Sequence, residues 1–407
     1  MKIVIVNSLY TPHIIGGAEI STQILAETLV PAAEVHVLTV GGQKRTAGVF
    51  AETVNGVTVH RLPFNNLYWI GDGKKRGLLM KTVRRMIDLY NPMQIRAVRD
   101  LLAEIKPDLI HTQNLTGFGA GIWTACAEAG VPVVHTLRDY SLLSPVSSPI
   151  SNPLLARIYS LTSIGFSKRV SAVVGISSHI LKRHTDAGLF PNAFRQVIPN
   201  AVDGDIVRAE KDFFRKPLRL GYFGRVEPEK GVRELVDAIR SVPRDVVEQA
   251  VICGDGGLRQ NIMELCGNDD RFVFTGKVTP KEARKLMASV DVTFVPSIWE
   301  EPFGRVIIES YQTGTPVFAS AVGGIPDAVW NPDEFLFKPG SADAIKAKIM
   351  AYYSLPGDEK KRIQEQCLEH CLEFTTTSLL NKHLELYEQT QSAKNRYSLA
   401  AAYGQVN

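Results

Sequence analysis

The sequence has little of what marks secreted, membrane-spanning or nucleic-acid-binding proteins. Its 407 residues include only five cysteines, an odd number without framework spacing, so we expect reduced thiols and a cytoplasmic location. No run approaches the roughly 20 apolar residues of a membrane span. The apolar start of the chain is too short for a signal peptide. The formal net charge is only +4, which gives no reason to expect nucleic acid as a partner.

The chain alternates apolar strands with helical segments, a pattern typical of parallel sheets covered on both faces. The alternation stops in the charged stretch Asp205–Pro217 and restarts at Leu218. A chain of this length is expected to form two domains. We therefore predict an α/β protein of two doubly wound domains with a cleft between them. The domain bounds are 1–203 and 218–375, with a linker at 204–217 and a C-terminal helix and tail at 376–407.

The individual elements follow from short apolar runs and from helical periodicity. The tail between Asp358 and Gln391 is predicted to be helical by composition, and Gly119–Ala129 is predicted to be a helix. The predicted strands are Ile3–Asn7, Glu34–Val40, Val57–Pro63, Asp108–Thr112, Val131–Leu137, Ala172–Ile176, Leu218–Phe223, Ala250–Cys253, Phe272–Phe274, Asp291–Pro296 and Pro316–Ser320.

The most informative segment is Ser297–Glu309. It places Glu301 and Glu309 eight positions apart, with Pro-Phe-Gly between them where a strand should give way to a helix. The N-terminus of such a helix, at Phe303–Arg305, offers backbone N–H groups and a partial positive charge to a phosphate. Two carboxylates beside it can hold the hydroxyls of a sugar and of a ribose.

This segment resembles the Glu-x7-Glu motif of retaining glycosyltransferases of family four, because Gly314-Thr-Pro-Val317 and Gly323-Gly-Ile-Pro-Asp327 follow it in family order. The resemblance implies the GT-B fold, with two Rossmann-like domains facing a cleft and a C-terminal helix returning to the first domain. It also implies retaining transfer of a sugar from a nucleotide-diphosphate sugar, with UDP or GDP, to a glycan or lipid-linked acceptor. Surface polysaccharide synthesis is the expected context.

The resemblance also assigns roles to residues that follow predicted strands. Arg225 and Lys230, in Gly221–Gly231, are expected to neutralise the departing diphosphate, since paired cations can do the work of a metal ion. Neither a metal nor a cofactor is therefore expected. The predicted catalytic residues are Glu301, Arg225, Lys230 and Arg138. The predicted nucleotide-sugar-binding residues are Gly16, Gly17, Arg225, Lys230, Val278, Glu301, Phe303, Gly304, Arg305 and Glu309.

The first domain departs from the family pattern at Arg138. Members often have His-Asp where this chain has Arg138-Asp139, and that histidine is placed beside the donor sugar in relatives. Arg138 can hold a sugar hydroxyl, a carboxylated sugar or an acceptor phosphate. His111 and the segment around Arg138 are predicted to face the cleft, and His135 to be a packed strand residue. Asp139 has two alternatives, contact with the acceptor or capping of the next helix.

Residues 74–87 combine cations with apolar side chains. Such a segment can lie on an anionic membrane or can form a solvated face over a local core. The segment contains Lys74, Lys75, Arg76, Lys81, Arg84 and Arg85, interleaved with Leu78, Leu79, Met80, Val83, Met86 and Ile87.

Two other functions are compatible with the predicted architecture. A sugar-nucleotide epimerase shares the fold but needs acid and base groups that the sequence does not display. A non-catalytic partner subunit would bind the nucleotide sugar without turning it over. The presence of Arg225, Lys230, Glu301 and Glu309 favours the transferase over both alternatives.

Overall fold

The computed structural model describes residues 1–44, 48–72, 77–143 and 153–403. The chain divides into two compact units. Unit 1 consists of Met1–Ala201 together with Thr376–Asn407, and unit 2 consists of Val202–Thr375. Within the described ranges, each helix is too short or too polar to span a lipid bilayer. All five cysteines are buried as free thiols.

Unit 1 is built on one eight-stranded sheet. Its strands are β1 (Lys2–Val6), β2 (Glu34–Lys44), β3 (Phe50–Val54), β4 (Val57–Phe64), β5 (Leu109–Thr112), β6 (Val133–Leu137), β7 (Ala172–Gly175) and β8 (Phe194–Val197). Its first six helices are α1 (Gly17–Leu29), α2 (Leu78–Leu89), α3 (Pro92–Ile105), α4 (Ile122–Glu128), α5 (Pro153–Ser167) and α6 (Ser178–Asp186).

The strand order of unit 1 is β3-β4-β2-β1-β5-β6-β7-β8. All pairings are parallel except the hairpin of β3 and β4. That hairpin turns at Asn55 and Gly56, whose φ angles are 49° and 82°. Positive φ at both central residues is what a type I′ turn requires, and Asn-Gly supplies it at low cost. Apart from Lys2, the residues of the central strands β1, β5, β6 and β7 are buried, as expected of parallel strands covered on both faces.

Unit 2 is built on a six-stranded sheet. Its strands are β9 (Leu218–Phe223), β10 (Val247–Cys253), β11 (Phe272–Gly276), β12 (Val292–Val295), β13 (Val317–Ser320) and β14 (Leu336–Phe337). Its helices are α7 (Val232–Arg240), α8 (Arg259–Cys266), α9 (Pro280–Ser289), α10 (Arg305–Tyr311), α11 (Pro332–Phe335), α12 (Ala342–Ser354) and α13 (Gly357–His370). The strand order is β11-β10-β9-β12-β13-β14, and every pairing is parallel.

The C-terminal helix α14 (Thr376–Tyr403) packs in unit 1. Its residues Leu379, Leu386 and Tyr387 belong to the buried cluster that includes Ile3 and Leu25. The segment predicted as a linker, 204–217, is part of unit 2, where the Val207 and Ala209 amides donate to the carbonyls of Gln312 and Thr313 at 2.8 and 3.2 Å.

The predicted doubly wound α/β architecture is confirmed, and the differences lie at element ends. The predicted helix Gly119–Ala129 begins only at Ile122, because Gly119 has a φ of 76° and a side chain there would meet the Asp88 carbonyl oxygen at 1.3 Å. The predicted helical tail is interrupted by a short 3-10 helix, Cys371–Phe374, which divides it into α13 and α14.

Candidate functional site

The sheet of unit 2 reverses its strand order between β9 and β12. The chain runs from β9 outward to β11 on one side, and from β12 outward to β14 on the other. In open α/β sheets, ligands bind beyond the carboxyl ends of the strands at such a reversal. The loop after β9 carries Arg225 and Lys230, and the loop after β12 carries Glu301. The fold therefore brings two predicted motifs, about 70 residues apart in sequence, to the position where the topology favours a ligand.

Lys230 and Glu301 form an ion pair at this position. The Lys230 Nζ donates to Glu301 Oε1 at 2.7 Å, and the two side chains are only 19% and 16% exposed. The Ser297 hydroxyl donates to the same oxygen. Both hydrogen bonds therefore converge on one oxygen of the carboxylate. The pairing was not predicted, since the sequence assigned the two side chains to separate parts of the donor.

The two loops are held together through their backbones. The amides of Ile298 and Trp299 donate to the Glu229 carbonyl at 3.0 and 3.3 Å. Gly231 ends the turn with a φ of 65°, and a Cβ at this position would lie 1.9 Å from the Pro296 carbonyl oxygen. Only glycine satisfies both conditions. These contacts place Lys230 against the β12 loop before any ligand binds.

A further backbone contact, from the Gly323-Gly324 turn, fixes the backbone of Glu301. The Gly324 amide donates to the Glu301 carbonyl at 2.7 Å. The preceding Gly323 has a φ of 60°, and a side chain on it would come within 2.5 Å of the Glu301 carbonyl oxygen. The Gly-Gly pair of the sequence motif thus fixes the backbone from which the Glu301 carboxylate projects.

The helix after Glu301 is α10, which begins at Arg305 as predicted. Gly304 precedes it with a φ of 101°. The Arg305 guanidinium lies 3.5 Å from Glu309 Oε1, one helical turn along. The side chain of Phe303 is buried and its ring packs 5.8 Å from that of Phe374. Phe303 can therefore serve a ligand through its backbone, while its side chain anchors the loop in the core.

Arg225 is the most accessible of the predicted cations. Its side chain is 66% exposed, and its guanidinium contacts the Glu229 carboxylate at 3.2 Å. The Tyr222 hydroxyl donates to the Arg225 carbonyl at 2.5 Å. Burial raises the pKa of Tyr222 well above its usual range, and the Glu301 charge raises it further. Tyr222 is therefore a neutral donor that holds the Arg225 backbone in place.

Val278 lies farther along the same sheet edge. It follows β11, two strands from β9, and its side chain packs against a buried cluster that includes Phe223 and Cys253. The turns after β10 and β11 are joined, because the Gly254 amide donates to the Gly276 carbonyl at 2.9 Å. Because the Val278 side chain is partly buried in this packing, its backbone is the better candidate for a ligand contact.

Unit 1 has its own reversal of strand order, between β1 and β5. The loop after β1 leads to Gly16 and Gly17, which are exposed at the start of α1. The Gly16 amide donates to the carboxylate of Glu19 at 2.8 Å, which caps the helix. A Cβ on Gly16 would meet only this carboxylate, at 3.9 Å. The packing of the chain itself gives no reason for glycine here.

Arg138 lies just beyond the end of β6 and is held by amide oxygens. Its Nε donates to Gln113 Oε1 and its Nη1 to Asn200 Oδ1, each at 2.5 Å. Gln113 Oε1 also accepts from the Thr22 hydroxyl at 2.7 Å. This network connects the ends of β5 and β6 with α1.

The prediction that His111 faces a cleft is wrong, because its ring lies in the core of unit 1. It is fully buried, with Nδ1 2.7 Å from the Tyr387 hydroxyl and Nε2 2.7 Å from the Thr136 hydroxyl. Burial, followed by the nearby His383 and Arg138, lowers the pKa of His111 well below its usual value. His135 is a packed strand residue as predicted, and burial lowers its pKa to about 3.

Asp139 caps a turn rather than a helix. Its Oδ1 accepts from the Ser141 amide at 2.8 Å, and its Oδ2 accepts from Asn114 Nδ2 at 3.2 Å. Among the residues with described positions, no three His, Cys, Asp or Glu side chains are grouped in a way that could hold a metal ion.

The site contains residues that the sequence did not single out, namely Gln113, Asn200 and Ser297. All three are polar side chains that are almost completely buried. Gln113 directly follows β5, and Ser297 lies two residues after β12. Polar residues at the carboxyl ends of buried parallel strands are the pattern that would have identified both.

In the basic apolar segment, residues 74–87, the structure shows exposed apolar side chains but places one of the predicted surface cations in the core. Residues 73–76, with three of the cations, lie outside the described ranges. On α2, the apolar side chains Leu79, Met80, Val83 and Met86 are exposed. Arg84, however, is buried, with its Nη2 3.4 Å from Asp88 Oδ2 and its guanidinium 5.2 Å from the centre of the Tyr68 ring. Arg84 therefore belongs to the local core and cannot meet a membrane.

Comparisons with known proteins agree with these features. The family described as Glycosyl transferases group 1 matches residues 204–368, and the Glycosyl transferase 4-like domain matches residues 16–201. An uncharacterised 42.6 kDa protein in the cps region of Klebsiella pneumoniae is 31% identical over 337 residues, covering 80% of this chain and 87% of that protein. An uncharacterised glycosyltransferase of Methanocaldococcus jannaschii is 27% identical over 348 residues, covering 81% of this chain and 83% of that protein.

Solved structures show the same fold at low sequence identity. Anabaena HepE in complex with UDP superposes with a TM-score of 0.71 at 20% identity, covering 96% of this chain and all of HepE. Sucrose-phosphate synthase of Thermosynechococcus elongatus superposes with a TM-score of 0.73 at 19% identity, covering 97% of this chain and all of that chain. The protein therefore belongs to the glycosyl transferases group 1 family and has the GT-B fold.

Proposed function

We propose that the protein is a retaining glycosyltransferase that moves a sugar from a nucleotide-diphosphate sugar to a glycan or lipid-linked acceptor. Unit 2 holds the donor, and unit 1 supplies contacts to the acceptor. The observation that carries the proposal is the Lys230–Glu301 pair at the strand reversal of unit 2. A cation for a diphosphate and a carboxylate for sugar hydroxyls lie together there, which suits a ligand that contains both groups.

Different residues of unit 2 bind different parts of the donor. Lys230 and Arg225 stabilise the diphosphate, Arg as a bidentate partner and Lys as a point charge. The backbone at Gly304 and Arg305 adds N–H groups at the start of α10. Glu301 binds hydroxyls of the transferring sugar, Glu309 binds those of the ribose, and the backbone at Val278 contacts the base. Gly16 and Gly17 of unit 1 admit substrate close to the backbone.

The proposed reaction needs no protein nucleophile. The bond between the anomeric carbon and the diphosphate oxygen breaks as the acceptor hydroxyl oxygen bonds to the same face of that carbon. The acceptor proton passes to the departing diphosphate, whose negative charge Lys230 and Arg225 stabilise. Because two protein cations face this charge, we propose that the reaction is independent of a bound metal ion.

Relatives support the nucleotide and the biological context. HepE has been crystallised with UDP and with UDP-glucose, and the Klebsiella relative is encoded in a cps region. A relative from Bacillus subtilis carries a name that places it in teichuronic acid biosynthesis. On this basis we propose a UDP-sugar as the first donor to test, and surface polysaccharide synthesis as the context.

The decisive experiment incubates the protein with UDP- and GDP-sugars, each with and without glycan or lipid-linked acceptors. Acceptor-dependent release of the nucleotide, with the anomeric configuration of the donor kept in the product, is the expected result. Isomerised nucleotide sugar without an acceptor would indicate an epimerase. Binding of nucleotide sugar without turnover under any condition would indicate a non-catalytic partner subunit.

We also propose that unit 1 contacts an anionic membrane surface through the outer face of α2. Leu79, Val83 and Met86 recur at helical spacing on this face and are exposed, and Lys81 is exposed beside them. Apart from the buried Arg84, residues 73–87 contain five cations and no acid, which gives the charge complementarity that such binding needs. A peripheral position on the cytoplasmic membrane face would suit a lipid-linked acceptor.

A further inference from the structure

The carboxamide of Gln113 lies at the carboxyl edge of the unit 1 sheet, directly after β5. We propose that Gln113 is a specificity-determining residue, which donates a hydrogen bond from Nε2 to one hydroxyl oxygen of a sugar substrate. The proposal rests on the proposed glycosyl transfer. It adds to that function a residue that requires a hydroxyl group at one position of the sugar.

The first argument is the position of Gln113. The preceding strand, β5, lies beside β1 where the strand order of unit 1 reverses. Ligands of open α/β sheets bind beyond the carboxyl ends of the strands at such a reversal. The loop after β1, at the same reversal, leads to the exposed Gly16 and Gly17. A polar side chain at this point of the sheet is therefore well placed to contact a substrate.

The second argument is that the carboxamide has a single orientation. Its Oε1 accepts from Arg138 Nε at 2.5 Å and from the Thr22 hydroxyl at 2.7 Å. A guanidinium can only donate, whatever other groups Arg138 contacts, so the amide atom facing it must be the oxygen. The Nε2 group is therefore a donor that needs an acceptor elsewhere.

The third argument is that this donor is unsatisfied. Gln113 Nε2 has no hydrogen-bond partner among the residues that the structure describes, and the residue is only 2% exposed. Leaving a buried donor unpaired is unfavourable. The neighbouring Asn114 differs, because its Nδ2 donates to Asp139 Oδ2 at 3.2 Å. An oxygen of a bound ligand would provide the acceptor that Gln113 lacks.

Gln113 also adjoins space for such an oxygen. It lines a cavity of about 10 Å³ together with His135, Arg138 and Asp139, which is room for about one water molecule or one ligand oxygen. Arg138 and Asp139 are half-buried, so the cavity lies close to the surface of unit 1. An ordered water and a substrate hydroxyl both fit it, and the location at the strand reversal favours the substrate.

The chemistry of the cavity selects a hydroxyl over an apolar group. A sugar that lacks the hydroxyl would leave Nε2 unpaired in a place that bulk water hardly reaches. Sites built around a buried hydrogen-bonding group reject analogues without the matching group. Burial lowers the pKa of His135 to about 3, so this ring is neutral near pH 7 and does not require an anion in the cavity.

The test removes the donor and keeps the acceptor. In Gln113→Glu, one carboxylate oxygen can still accept from Arg138 and Thr22, whereas the other replaces the Nε2 donor with a second acceptor. Gln389→Glu is the control, because Gln389 is an exposed glutamine of α14 in the same unit. Thermal unfolding of both variants shows whether the fold is kept.

Two series of sugars are compared by kcat/KM in the wild type and in both variants. One series contains the acceptor sugar and its monodeoxy analogues, and the other contains UDP-glucose and its monodeoxy analogues. In the wild type, removal of one particular hydroxyl should lower kcat/KM by about tenfold or more, the scale of a lost partner for a buried donor. The series in which this loss occurs shows whether the acceptor or the donor sugar supplies the oxygen.

The two changes should not add. Gln113→Glu should lower kcat/KM for the complete sugar by a similar factor, and removal of the critical hydroxyl should then cost nothing further. Gln389→Glu should keep the wild-type pattern. An unchanged kcat/KM for Gln113→Glu, or a uniform loss that leaves the wild-type preference among the deoxy sugars intact, would show that Gln113 only packs the sheet edge and would overturn the proposal.

Crystal structures of the wild type, alone and with UDP-glucose and the acceptor sugar at saturation, cover the remaining cases. A sugar oxygen at about 2.7–3.2 Å from Gln113 Nε2 would support the proposal. A water molecule that keeps this position in every complex would contradict it. If no sugar is transferred, the proposed function fails, and these complexes still decide whether Gln113 binds a sugar hydroxyl. They also decide it if Gln113→Glu does not fold.

Discussion

Replacing Lys230 with alanine is the sharpest test of the donor site. The substitution removes the cation that we assign to the leaving diphosphate and also removes the partner of Glu301 at 2.7 Å. The first effect falls on the transition state, where negative charge develops on the diphosphate oxygen. The second falls on the free protein, where Glu301 loses this hydrogen-bond donor in a site that is only 16% exposed.

The two effects have different sizes. Loss of one preorganised group facing developing charge lowers kcat by about 10²–10³, which is about 3–4 kcal/mol. Loss of a hydrogen bond between charged groups costs about 1–3 kcal/mol of folding free energy, and side chains with this degree of exposure fall at the lower end. For a unit of this size, 1 kcal/mol shifts the melting temperature by about 2–4 °C. The value of kcat should therefore fall by orders of magnitude while the protein remains folded.

The assay follows nucleotide release at saturating donor and acceptor, with thermal unfolding of the same preparations. Lys361→Ala is a suitable control, because Lys361 is an exposed lysine of α13 in the same unit. Lys230→Arg should recover part of the rate, since it restores the charge but not the point geometry. A kcat for Lys230→Ala within about threefold of wild type would show that this lysine does not stabilise the leaving group, against the expected loss.

The remaining predictions test separate parts of the molecule. Glu309→Ala should weaken UDP binding by about tenfold, because ribose hydrogen bonds are lost, and unchanged affinity in calorimetry would reject the ribose role. A Leu79→Ser and Val83→Ser double variant should lose binding to anionic liposomes in a flotation assay, whereas Leu372→Ser, which alters an exposed leucine of unit 2, should not. Burial lowers the pKa of His184 and His383 to about 4, so the unfolded chain binds more protons below about pH 6.5 and stability must fall as the pH drops toward 4. Urea unfolding at about pH 5 should show a loss of about 1 kcal/mol or more for each buried ring relative to pH 7, and an unchanged free energy of unfolding would contradict the assignment.

The sequence predicts the sheets of this protein well where strands are continuous apolar runs. β9 has the predicted bounds, Leu218–Phe223, because its apolar side chains are buried on both faces of the sheet. β8, Phe194–Val197, was not predicted, since three of its four residues are exposed at the sheet edge. β3 was also missed, although Asn55-Gly56 is a strong hairpin signal. An edge strand carries too little apolar pattern to be distinguished from a loop.

The candidate site was predictable as a set of residues but not as a set of contacts. Glu301 and Lys230 follow strands, and the sequence motifs around them predicted both as residues of the site. Their ion pair joins positions 71 residues apart, and it depends on β9 and β12 being neighbours in the sheet. Gln113 belongs to the Arg138 network for the same kind of reason, since only the pairing of β5 with β6 brings them together. The order of the strands in a sheet cannot be read from their order along the chain. These contacts could therefore be identified only from the structure.

The ion pair between Lys230 and Glu301 also has a consequence for the empty protein. A lone lysine at such a site would attract any small anion in the cell, inorganic phosphate among them. Because Glu301 already neutralises it, a simple anion must compete with a carboxylate that is covalently part of the chain. A nucleotide sugar avoids this competition, since it offers phosphate oxygens to the lysine and hydroxyl groups to the glutamate at once. If the proposed function holds, the pair therefore weakens the binding of partial mimics of the donor, such as free phosphate or a free sugar, relative to the complete nucleotide sugar.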